Sequence, residues 1–392
     1  MRSGRAVIKF GGACLATAER VARSASLVLE SGFSEIVVVV SAMGKTTEEL
    51  ALRSRSLGLG DADTAEILSM GERTSARIMA AALRSGGVAS EHLEPSDPRW
   101  PLFTSGPPLD AVPDLEGSRS AAARHLETML EESIPVICGF LGMDDGRCTT
   151  LGRGGSDITA LLLGNILEAE QVILVKDTNG MMSADPNLIP ESVGLETMDI
   201  LDAFALSCGG ARVIRHEALK YKLPEQRLRV VSFSGGSLAD GGTEITGCLE
   251  PSSVRISVHE PLSAITVTGD ITPRNVGSLM EGIGEGRIMA VSTGRRSTTV
   301  FASLDDWQSS LGRLHSLGRF TGVSVRNGVG MLEINHPGFV DGPGWVGRIT
   351  SAVSARGINL VEVTTGESTI NLFVERENLQ AARESVGEAL DI

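Results

Sequence analysis

The sequence predicts an α/β protein in which a mainly parallel sheet is followed by two smaller ferredoxin-like modules. Up to about residue 250, short apolar runs alternate with helical stretches, which is typical of a parallel sheet covered by helices. Beyond a Gly- and Ser-rich segment at 234–246, one cycle of strands and helices occurs twice, each copy about 65 residues long. A chain of 392 residues is long enough for two to three domains.

The parallel part begins with a strand at 7–10, followed by a helix that starts after the N-cap candidate Thr17 and stops at Gly32. Residues 36–40 are all β-branched, which is typical of a strand buried on both faces. The later units are helix 61–84, strand 134–141, helix 157–167, strand 172–175, helix 200–207 and strand 228–233. Six prolines between 85 and 116 predict a surface excursion without regular elements.

The second part contains two copies of a βαββαβ cycle. The first copy has strands 264–268, 288–292, 298–303 and 322–325 with helices 275–283 and 306–317, and the second has strands 329–334, 360–363 and 369–374 with helices 344–355 and 379–390. The second copy lacks a sixth element, and the strand-like run 254–258 supplies it if one module is inserted within the other. We therefore predict domains at 1–250, 251–326 and 327–392, with 254–258 belonging to the last.

The composition excludes several classes of function. Asp and Glu number 49 against 35 Lys and Arg, so the net charge of −14 argues against a nucleic acid or an anionic membrane as partner. No run approaches the roughly 20 apolar residues of a membrane helix, and no signal-peptide pattern opens the chain, so we expect a cytoplasmic protein. The five cysteines and six histidines show no metal-binding spacing, so we expect buried free thiols and no metal site.

The segment Lys9-Phe10-Gly11-Gly12 lies between the first strand and the first helix. Two glycines there allow backbone N–H groups to approach an anion, and Lys9 adds a positive charge. The segment therefore suits a phosphate cradle. It equally suits a tight turn with a surface lysine, because it matches neither the Walker loop nor the dinucleotide fingerprint.

A second segment, residues 149–157, also lies between a strand and a helix and contains three glycines, Arg153, Ser156 and Asp157. Arg153 is suited to hold a carboxylate or phosphate with two hydrogen bonds, and Ser156 or Asp157 can cap the helix. A turn alone would not need an arginine, so this segment favours a binding role over turn geometry.

A third segment, residues 176–180, follows the strand 172–175, at the edge of the sheet where open α/β folds bind ligands. Asn179-Gly180 is a good turn in its own right, so Lys176 and Asp177 are the better functional candidates. Two further polar patches are 41–47, after the second strand, and 69–72, on a helix.

Taken together, these motifs resemble aspartate kinase, an amino-acid kinase domain followed by paired ACT regulatory modules. The resemblance covers essentially the whole chain and includes Lys9 to Gly12, Ser41 to Gly44 with Thr46 and Thr47, Leu68 to Glu72, Thr149 to Asp157, Asp185-Pro186, His336 to Gly338 and Ala355 to Asn359. It implies an amino-acid-kinase-like three-layer sandwich. It also implies transfer of the γ-phosphoryl group of ATP, carried with Mg²⁺, to the β-carboxylate of L-aspartate, the first step towards lysine, threonine and methionine.

On the nucleotide side, the resemblance implies that Lys9 contacts the transferring phosphates, with the amides of Gly11 and Gly12 beside it. Asp177 is expected next to the nucleotide. Further nucleotide-binding positions are Lys176, Met182, Asn187 and Arg212.

On the amino-acid side, the resemblance implies that Glu72 holds the substrate ammonium and Arg153 its α-carboxylate. Thr47 is expected to make a further contact. Ser156 and Asp157 are expected where the two substrates meet, so Lys9, Asp157 and Arg153 form the predicted catalytic group.

In the kinase domain, the departures from the family pattern cluster on the nucleotide side, and the amino-acid side is intact. The departures are Ala13 and Cys14 for Thr-Ser, Lys176 for Thr, Met182 for Tyr, Asn187 for Arg, and Arg212 and Arg215 for the Lys and His of a Lys-Val-Leu-His-Pro run. As a hypothesis, Lys176 replaces the positive charge lost at Asn187. Two alternatives to an active aspartate kinase therefore stay open: a catalytically weakened paralogue that senses amino acids, and a kinase of another small carboxylate.

The resemblance also implies an assembly, because ACT modules usually pair across subunits and bind an amino acid at the interface. We therefore expect a homodimer or a larger homo-oligomer. The effector loops are expected at 272–277 and 340–345, with the identity of the effector left open.

Overall fold

The computed structural model describes residues 4–211, 213–238, 241–250 and 254–392. The chain forms two compact units, Met1–Leu249 (unit 1) and Glu250–Ile392 (unit 2). Within the described ranges, no helix is both long and apolar enough to cross a membrane.

Unit 1 is built on a mainly parallel sheet with helices packed on it. Its strands are β1 Arg5–Phe10, β2 Glu35–Val40, β3 Ser90–Leu93, β4 Phe103–Ser105, β5 Val112–Asp114, β6 Ile134–Cys138, β7 Leu141–Asp144, β8 Arg147–Thr150, β9 Gln171–Lys176, β10 Thr197–Asp199, β11 Arg227–Ser232 and β12 Thr243–Thr246. Its helices are α1 Ala18–Glu30, α2 Thr46–Ser56, α3 Asp61–Ser85, α4 Leu115–Glu132, α5 Gly155–Ile166, α6 Ile200–Cys208 and α7 His216–Leu219.

The eight-stranded sheet runs in the order β10-β12-β11-β9-β1-β2-β6-β3, and a smaller sheet runs β5-β4-β7-β8. Strand β1 pairs in parallel with β9 on one side and β2 on the other, with Phe10 opposite Val175 and Val40. The apolar side chains of these three strands are buried on both faces, as the run 36–40 predicts. The parallel register brings the turns that follow β1, β2 and β9 to one edge of the sheet.

The periodicity missed several elements of unit 1. The proline-rich segment 85–116 contains the short strands β3, β4 and β5, so the prediction of no regular elements there is wrong. The predicted strand 134–141 is interrupted at Gly139, because β6 ends there and β7 joins the smaller sheet. Cys14, Cys138 and Cys148 are buried free thiols, whereas Cys208 and Cys248 are only half-buried.

Unit 2 is one antiparallel six-stranded sheet with helices, in the order β14-β15-β13-β16-β18-β17. Its strands are β13 Arg255–Thr268, β14 Arg287–Thr293, β15 Ser297–Ser303, β16 Gly322–Asn335, β17 Leu360–Thr365 and β18 Thr369–Glu375, and its helices are α8 Pro273–Ile283, α9 Trp307–Ser316, α10 Trp345–Ala355 and α11 Leu379–Leu390.

Two long strands join the two halves of unit 2. The predicted strands 254–258 and 264–268 form the single strand β13, and 322–325 and 329–334 form β16. Register shifts between His259 and Ser263 let each half of β13 follow a different half of β16. The first half of β13 therefore lies beside the part of β16 that pairs with β18, which supports our proposal that 254–258 belongs to the last module.

The two halves of unit 2 have separate helix-facing cores and share a third cluster. At the centre of the shared cluster, the rings of Phe301 on β15 and Phe373 on β18 stack with centroids 4.0 Å apart. Both side chains are almost fully buried. This aromatic pair is therefore expected to stabilise one half of unit 2 against the other.

We predict that Phe373→Ala lowers the free energy of unfolding of unit 2 by about 3–5 kcal/mol, because it leaves a cavity in this shared cluster. Urea unfolding followed by tryptophan fluorescence in a Trp100→Phe background measures this, since Trp307 and Trp345 then report on unit 2 alone. Phe373→Leu is the matched control and should cost about 1 kcal/mol. Equal costs for the two variants would contradict this packing role.

Candidate functional site

The turn after β1 presents backbone donors at the sheet edge. The N–H of Gly11 already donates to the carbonyl of Val175 at 3.2 Å, so it is engaged in holding β1 against β9. The N–H groups of Gly12 and Ala13 have no acceptor among the described residues, because they open a short 3₁₀ helix. The donors free to bind an anion at this turn are therefore those of Gly12 and Ala13.

Gly12 is required by close packing of backbone against backbone. A Cβ at this position would lie 2.6 Å from the carbonyl oxygen of Ala42 and 3.1 Å from that of Gly44. The carbonyl of Gly12 in turn accepts from the N–H of Gly44 at 3.0 Å. The turns after β1 and β2 therefore form one interlocked edge, which any side chain at position 12 would force apart.

Asp157 lies in the first turn of α5 and meets the lysines at the ends of two neighbouring strands. Its Oδ1 is 2.8 Å from Nζ of Lys9, and its Oδ2 is 2.7 Å from Nζ of Lys176. The side chains of Asp157, Lys9 and Lys176 are only 5%, 6% and 16% exposed. One buried carboxylate therefore serves two ammonium groups.

The charges of this cluster decide its protonation. Burial alone would raise the pKa of Asp157, but the charges of Lys176 and Lys9 outweigh burial and lower that pKa to about 2. Burial lowers the pKa of Lys176 from its ordinary value, although Asp157 opposes that change. At neutral pH, Asp157 is thus firmly ionised between the two lysines.

Glu72 forms the second buried carboxylate of the site. It lies on α3 and is 2% exposed, and its Oε1 accepts a hydrogen bond of 3.1 Å from the N–H of Ala42. Its Oε2 is buried and has no hydrogen-bond partner in the described part of the chain. Gly71 permits this approach of α3, because a Cβ there would lie 2.7 Å from the Cβ of Ala42.

The environment of Glu72 differs from that of Asp157 in its charge. Burial raises the pKa of Glu72 to about 7, even though the N–H groups of Ala42 and Glu72, the Thr47 hydroxyl and the charge of Lys9 oppose that rise. Glu72 lies close to the turn that follows Lys9, because Ala42, whose N–H donates to Glu72, packs its carbonyl against Gly12. Thr47 and Lys9 both lower the pKa of Glu72. A cation that enters the site would give Oε2 of Glu72 the partner that it lacks.

The loop before α5 carries Arg153 and Ser156. Arg153 is exposed and has no hydrogen bond or ion pair within the described ranges, whereas Ser156 is 7% exposed. Gly154, the N-cap of α5, has a φ of +72°, a left-handed conformation that favours glycine. A Cβ on Gly154 would also meet the side chain of Arg215. The guanidinium of Arg153 is thus free to bind a ligand.

The other residues predicted to bind the nucleotide are not joined by a hydrogen bond or ion pair to the lysine cluster around Asp157 in the described part of the chain. Asp177 follows Lys176 and is exposed, but its charge influences the buried Cys14. Met182 is half-buried and bridges to Gly194. Asn187 is exposed, and its N–H and Nδ2 donate to Oδ1 of Asp185 at 2.9 and 3.0 Å. Arg212 lies outside the described residues.

The structure therefore brings Lys9, Lys176, Asp157, Glu72 and Thr47 together through direct contacts or mutual charge effects. Among the described residues, no hydrogen bond or ion pair joins Arg153, Met182 or Asn187 to that cluster. Sequence reasoning missed the open N–H of Ala13 and the role of the Ala42 N–H, because main-chain donors leave no residue pattern.

Sequence reasoning also missed Gly139 at the end of β6. A Cβ there would lie within 2.9 Å of Ser156 and of the Val40 carbonyl, so this glycine lets α5 approach the sheet. Its position inside the predicted strand 134–141 was the signal that could have found it, because a glycine within a strand pattern often marks a close approach of another element. Arg215 was noted only as a departure, yet its stem covers Gly154 and its Nη2 pairs with Glu217 at 2.6 Å.

Comparison with known proteins gives one family match and many full-length relatives. The model of the amino acid kinase family matches residues 4–247 of this chain. The aspartokinases of Mycolicibacterium smegmatis and Bacillus sp. (strain MGA3) are each 26% identical to this chain, covering 98% and 99% of it and 96% and 98% of their own lengths.

Solved structures show the same fold. An aspartate kinase from Synechocystis has a TM-score of 0.75 at 21% identity and covers 99% of this chain and 69% of its own. E. coli aspartokinase III, solved with aspartate and ADP, has a TM-score of 0.58 at 22% identity and covers 99% of this chain and 100% of its own. The predicted fold class and the resemblance to aspartate kinase are thereby confirmed.

We predict that Glu72 makes unit 1 less stable as pH rises. Its pKa of about 7 in the folded state lies above the ordinary 4.5, so between these values the unfolded chain loses a proton that the folded chain keeps. The free energy of unfolding should therefore fall by about 3 kcal/mol across this window, and Glu72→Gln should abolish that fall.

Urea unfolding of the ligand-free protein near pH 5 and near pH 8 measures this difference. Glu66→Gln is the matched control, because Glu66 lies on the same helix but is exposed. A Glu72→Gln variant with the same pH dependence as the parent protein would contradict the burial of this carboxylate.

Proposed function

This chain belongs to the amino acid kinase family, and we propose that it is an aspartate kinase that transfers the γ-phosphoryl group of ATP to the β-carboxylate of L-aspartate. The product is 4-phospho-L-aspartate, from which lysine, threonine and methionine are made. Likeness to aspartokinases over 98% of the chain supports this activity. So does the solved complex of E. coli aspartokinase III with aspartate and ADP.

The observation that carries the proposal is the pair of opposite environments side by side at one sheet edge. The cluster around Asp157 places two lysine side chains beside the open N–H groups of Gly12 and Ala13. Glu72 beside it offers an unpartnered oxygen to a cation. A nucleotide phosphate fits the first environment and the ammonium of an amino acid fits the second.

Each residue takes one role in the proposed complex. Lys9 and the turn amides bind the transferring phosphates, with Asp157 beside them. Glu72 binds the substrate ammonium, Arg153 its α-carboxylate, and Thr47 and Ser156 lie against the amino acid.

Farther along the nucleotide, the resemblance assigns Asp177, Met182 and Asn187; Arg212, assigned with them, lies outside the described residues. Met182 stands in place of an aromatic side chain near the base. Lys176 joins Lys9 on the phosphates.

In the reaction, an oxygen of the β-carboxylate attacks the γ-phosphorus of ATP. The bond from that phosphorus to the bridging oxygen breaks, and ADP leaves with the electron pair. The acceptor is already ionised at neutral pH, so no general base is required. Catalysis therefore consists of positioning the two substrates and neutralising charge on the transferring group, tasks for Lys9 and the turn amides.

Mg²⁺ is proposed to arrive with the nucleotide. Within the described ranges no cluster of three or more His, Cys, Asp or Glu side chains suits a metal ion, and Asp157 is taken by two lysines. The ion would supply further charge neutralisation on the phosphates.

We predict that the protein releases ADP from ATP only when L-aspartate is present, and that hydroxylamine traps the acyl phosphate as a hydroxamate. L-Glutamate, L-asparagine and succinate serve as comparison substrates. Hydroxamate formed with another carboxylate but not with L-aspartate would favour the kinase of a different acid. No turnover with any of them would favour the weakened paralogue.

In the same assay, Arg153→Gln should raise the KM for L-aspartate about ten-fold or more, because it removes a charged hydrogen-bond partner. The KM for ATP should change little. Arg55→Gln is the matched control, an exposed arginine at the end of α2. An unchanged KM for L-aspartate in Arg153→Gln would remove Arg153 from the proposed site.

Unit 2 is proposed to pair with a second copy of the chain and to bind an amino-acid effector near 272–277 and 340–345. Its outer strands β14 and β17 end the sheet on either side, and Ile288 and Val291 on β14 are about two-fifths exposed. Such an edge is a template for pairing with another strand.

We predict that sedimentation velocity at micromolar concentration shows a dimer or larger species. Ile288→Lys should shift it towards monomer, because a charge on the edge strand opposes pairing. Val193→Lys, on an exposed loop of unit 1, is the control. A stable monomer of the parent protein would contradict the pairing.

A further inference from the structure

A second arginine, Arg215, lies beside the loop that carries Arg153. Its stem packs on Gly154, because a Cβ on that glycine would overlap Cγ of Arg215 and lie 3.0 Å from its Cδ. Gly154 follows Arg153 in the chain and is the N-cap of α5. Since Nε is bonded directly to Cδ, the guanidinium of Arg215 starts at the amino end of α5.

The contacts of Arg215 leave one of its donors unused. Its Nη2 lies 2.6 Å from Oε1 of Glu217. Its Nε is buried and has no hydrogen-bond partner among the residues that the structure describes. A buried N–H group without an acceptor is unfavourable, so a ligand that brings an acceptor to Nε would be stabilised there.

The neighbouring groups identify that ligand as an anion. Arg153 is exposed and has no hydrogen bond or ion pair within the described ranges. Ser156 is buried in the first turn of α5, and neither its N–H nor its hydroxyl has a partner in the described part of the chain. Two guanidinium groups and these donors surround the amino end of a helix, which favours negative charge.

The geometry of arginine narrows the anion to a carboxylate or a phosphate, because its planar fork matches two oxygens at once. In the proposed complex the phosphates meet Lys9 and the turn amides of Gly12 and Ala13. The α-carboxylate of the amino acid is the anion assigned to Arg153, so it is also the anion within reach of the neighbouring Arg215.

We propose that Arg215 is a specificity-determining residue that binds the α-carboxylate of the amino-acid substrate together with Arg153. The inference rests on the proposed function, because it takes L-aspartate as the substrate and Arg153 as the first arginine on its α-carboxylate. Arginine at 215 is a departure from the pattern that the chain resembles, which has histidine there. The second guanidinium thus gives this chain a substrate contact that the pattern lacks.

Two neighbours hold Arg215 in place before the substrate binds. Glu217 holds Nη2, and because the guanidinium is planar, this contact also fixes the direction of the Nε–H bond. Gly154 leaves room for the stem, which any side chain at that position would displace. Little side-chain freedom is therefore lost when the carboxylate binds.

The test replaces Arg215 by Met, which keeps an unbranched stem over Gly154 and removes the guanidinium. Glu217→Gln is the background, so that no unpaired carboxylate is left to repel the substrate. We expect Arg215→Met in this background to weaken the binding of L-aspartate, measured by calorimetry, about ten-fold or more. Arg215→Lys should recover part of that affinity, because it restores the charge without the fork.

The matched control is Arg227→Met in a Glu244→Gln background. Nη2 of Arg227 and Oε2 of Glu244 are 2.8 Å apart, so this pair has the same chemistry as Arg215 and Glu217. It lies at the start of β11, whereas the site lies at the carboxyl ends of the parallel strands. The control should leave the affinity for L-aspartate unchanged. Unchanged affinity in Arg215→Met would overturn the inference, as would a parent protein that binds no L-aspartate.

Substrate preference shows which carboxylate Arg215 binds. L-Isoasparagine has an amide in place of the α-carboxylate and keeps the β-carboxylate. In the active enzyme, Arg215→Met should lower the preference for L-aspartate over L-isoasparagine, taken as the ratio of kcat/KM, about ten-fold, with the KM for ATP little changed. An unchanged preference would overturn the assignment to the α-carboxylate.

The same measurements separate this inference from the proposed function. Binding of L-aspartate that depends on Arg215, in a protein that forms no hydroxamate from it, would leave the two-arginine site standing and refute the activity alone. Phosphorylation of L-aspartate that is equally efficient in Arg215→Met would leave the activity standing and refute the role of Arg215.

Discussion

The candidate site depends on one interaction, the contact of buried Asp157 with both Lys9 and Lys176. It joins the first turn of α5 to the ends of the adjacent strands β1 and β9. The buried valines of β2 lie beside β1 in the sheet. Gly12 lets the turns after β1 and β2 pack together, and Gly139 lets α5 approach the sheet edge, so both glycines support this contact. Replacing any of these small residues would separate charges that stabilise one another only at short range.

The two buried carboxylates show how one fold creates two binding chemistries. Asp157 and Glu72 are almost equally buried, yet the pKa of Asp157 is about 2 and that of Glu72 about 7. The difference comes from their partners, since Asp157 touches two ammonium groups and Glu72 is bonded mainly by a backbone N–H. The lysines beside Asp157 therefore suit a phosphate and the free oxygen of Glu72 suits an ammonium, the two groups that the proposed aspartate kinase would hold at adjoining places.

Sequence patterns predicted those parts of the molecule that depend on local periodicity. The parallel strands, the duplicated cycle and the loops at the strand ends all follow from alternation of apolar runs and turns. The partners of Asp157 could not be predicted, because residues 9, 157 and 176 meet only through strand order. The hydrogen bond from the N–H of Gly11 to the carbonyl of Val175 could not be predicted for the same reason. The continuity of β13 and β16 was missed because bulges and a glycine interrupt their patterns.

The most direct test of this account is a crystal structure of the protein with L-aspartate and a non-hydrolysable ATP analogue. The account predicts phosphate oxygens within about 3 Å of Nζ of both Lys9 and Lys176, with Asp157 still touching both lysines. It also predicts the ammonium of L-aspartate against Oε2 of Glu72. Phosphates bound away from Lys176, or Asp157 released from the lysines, would contradict it.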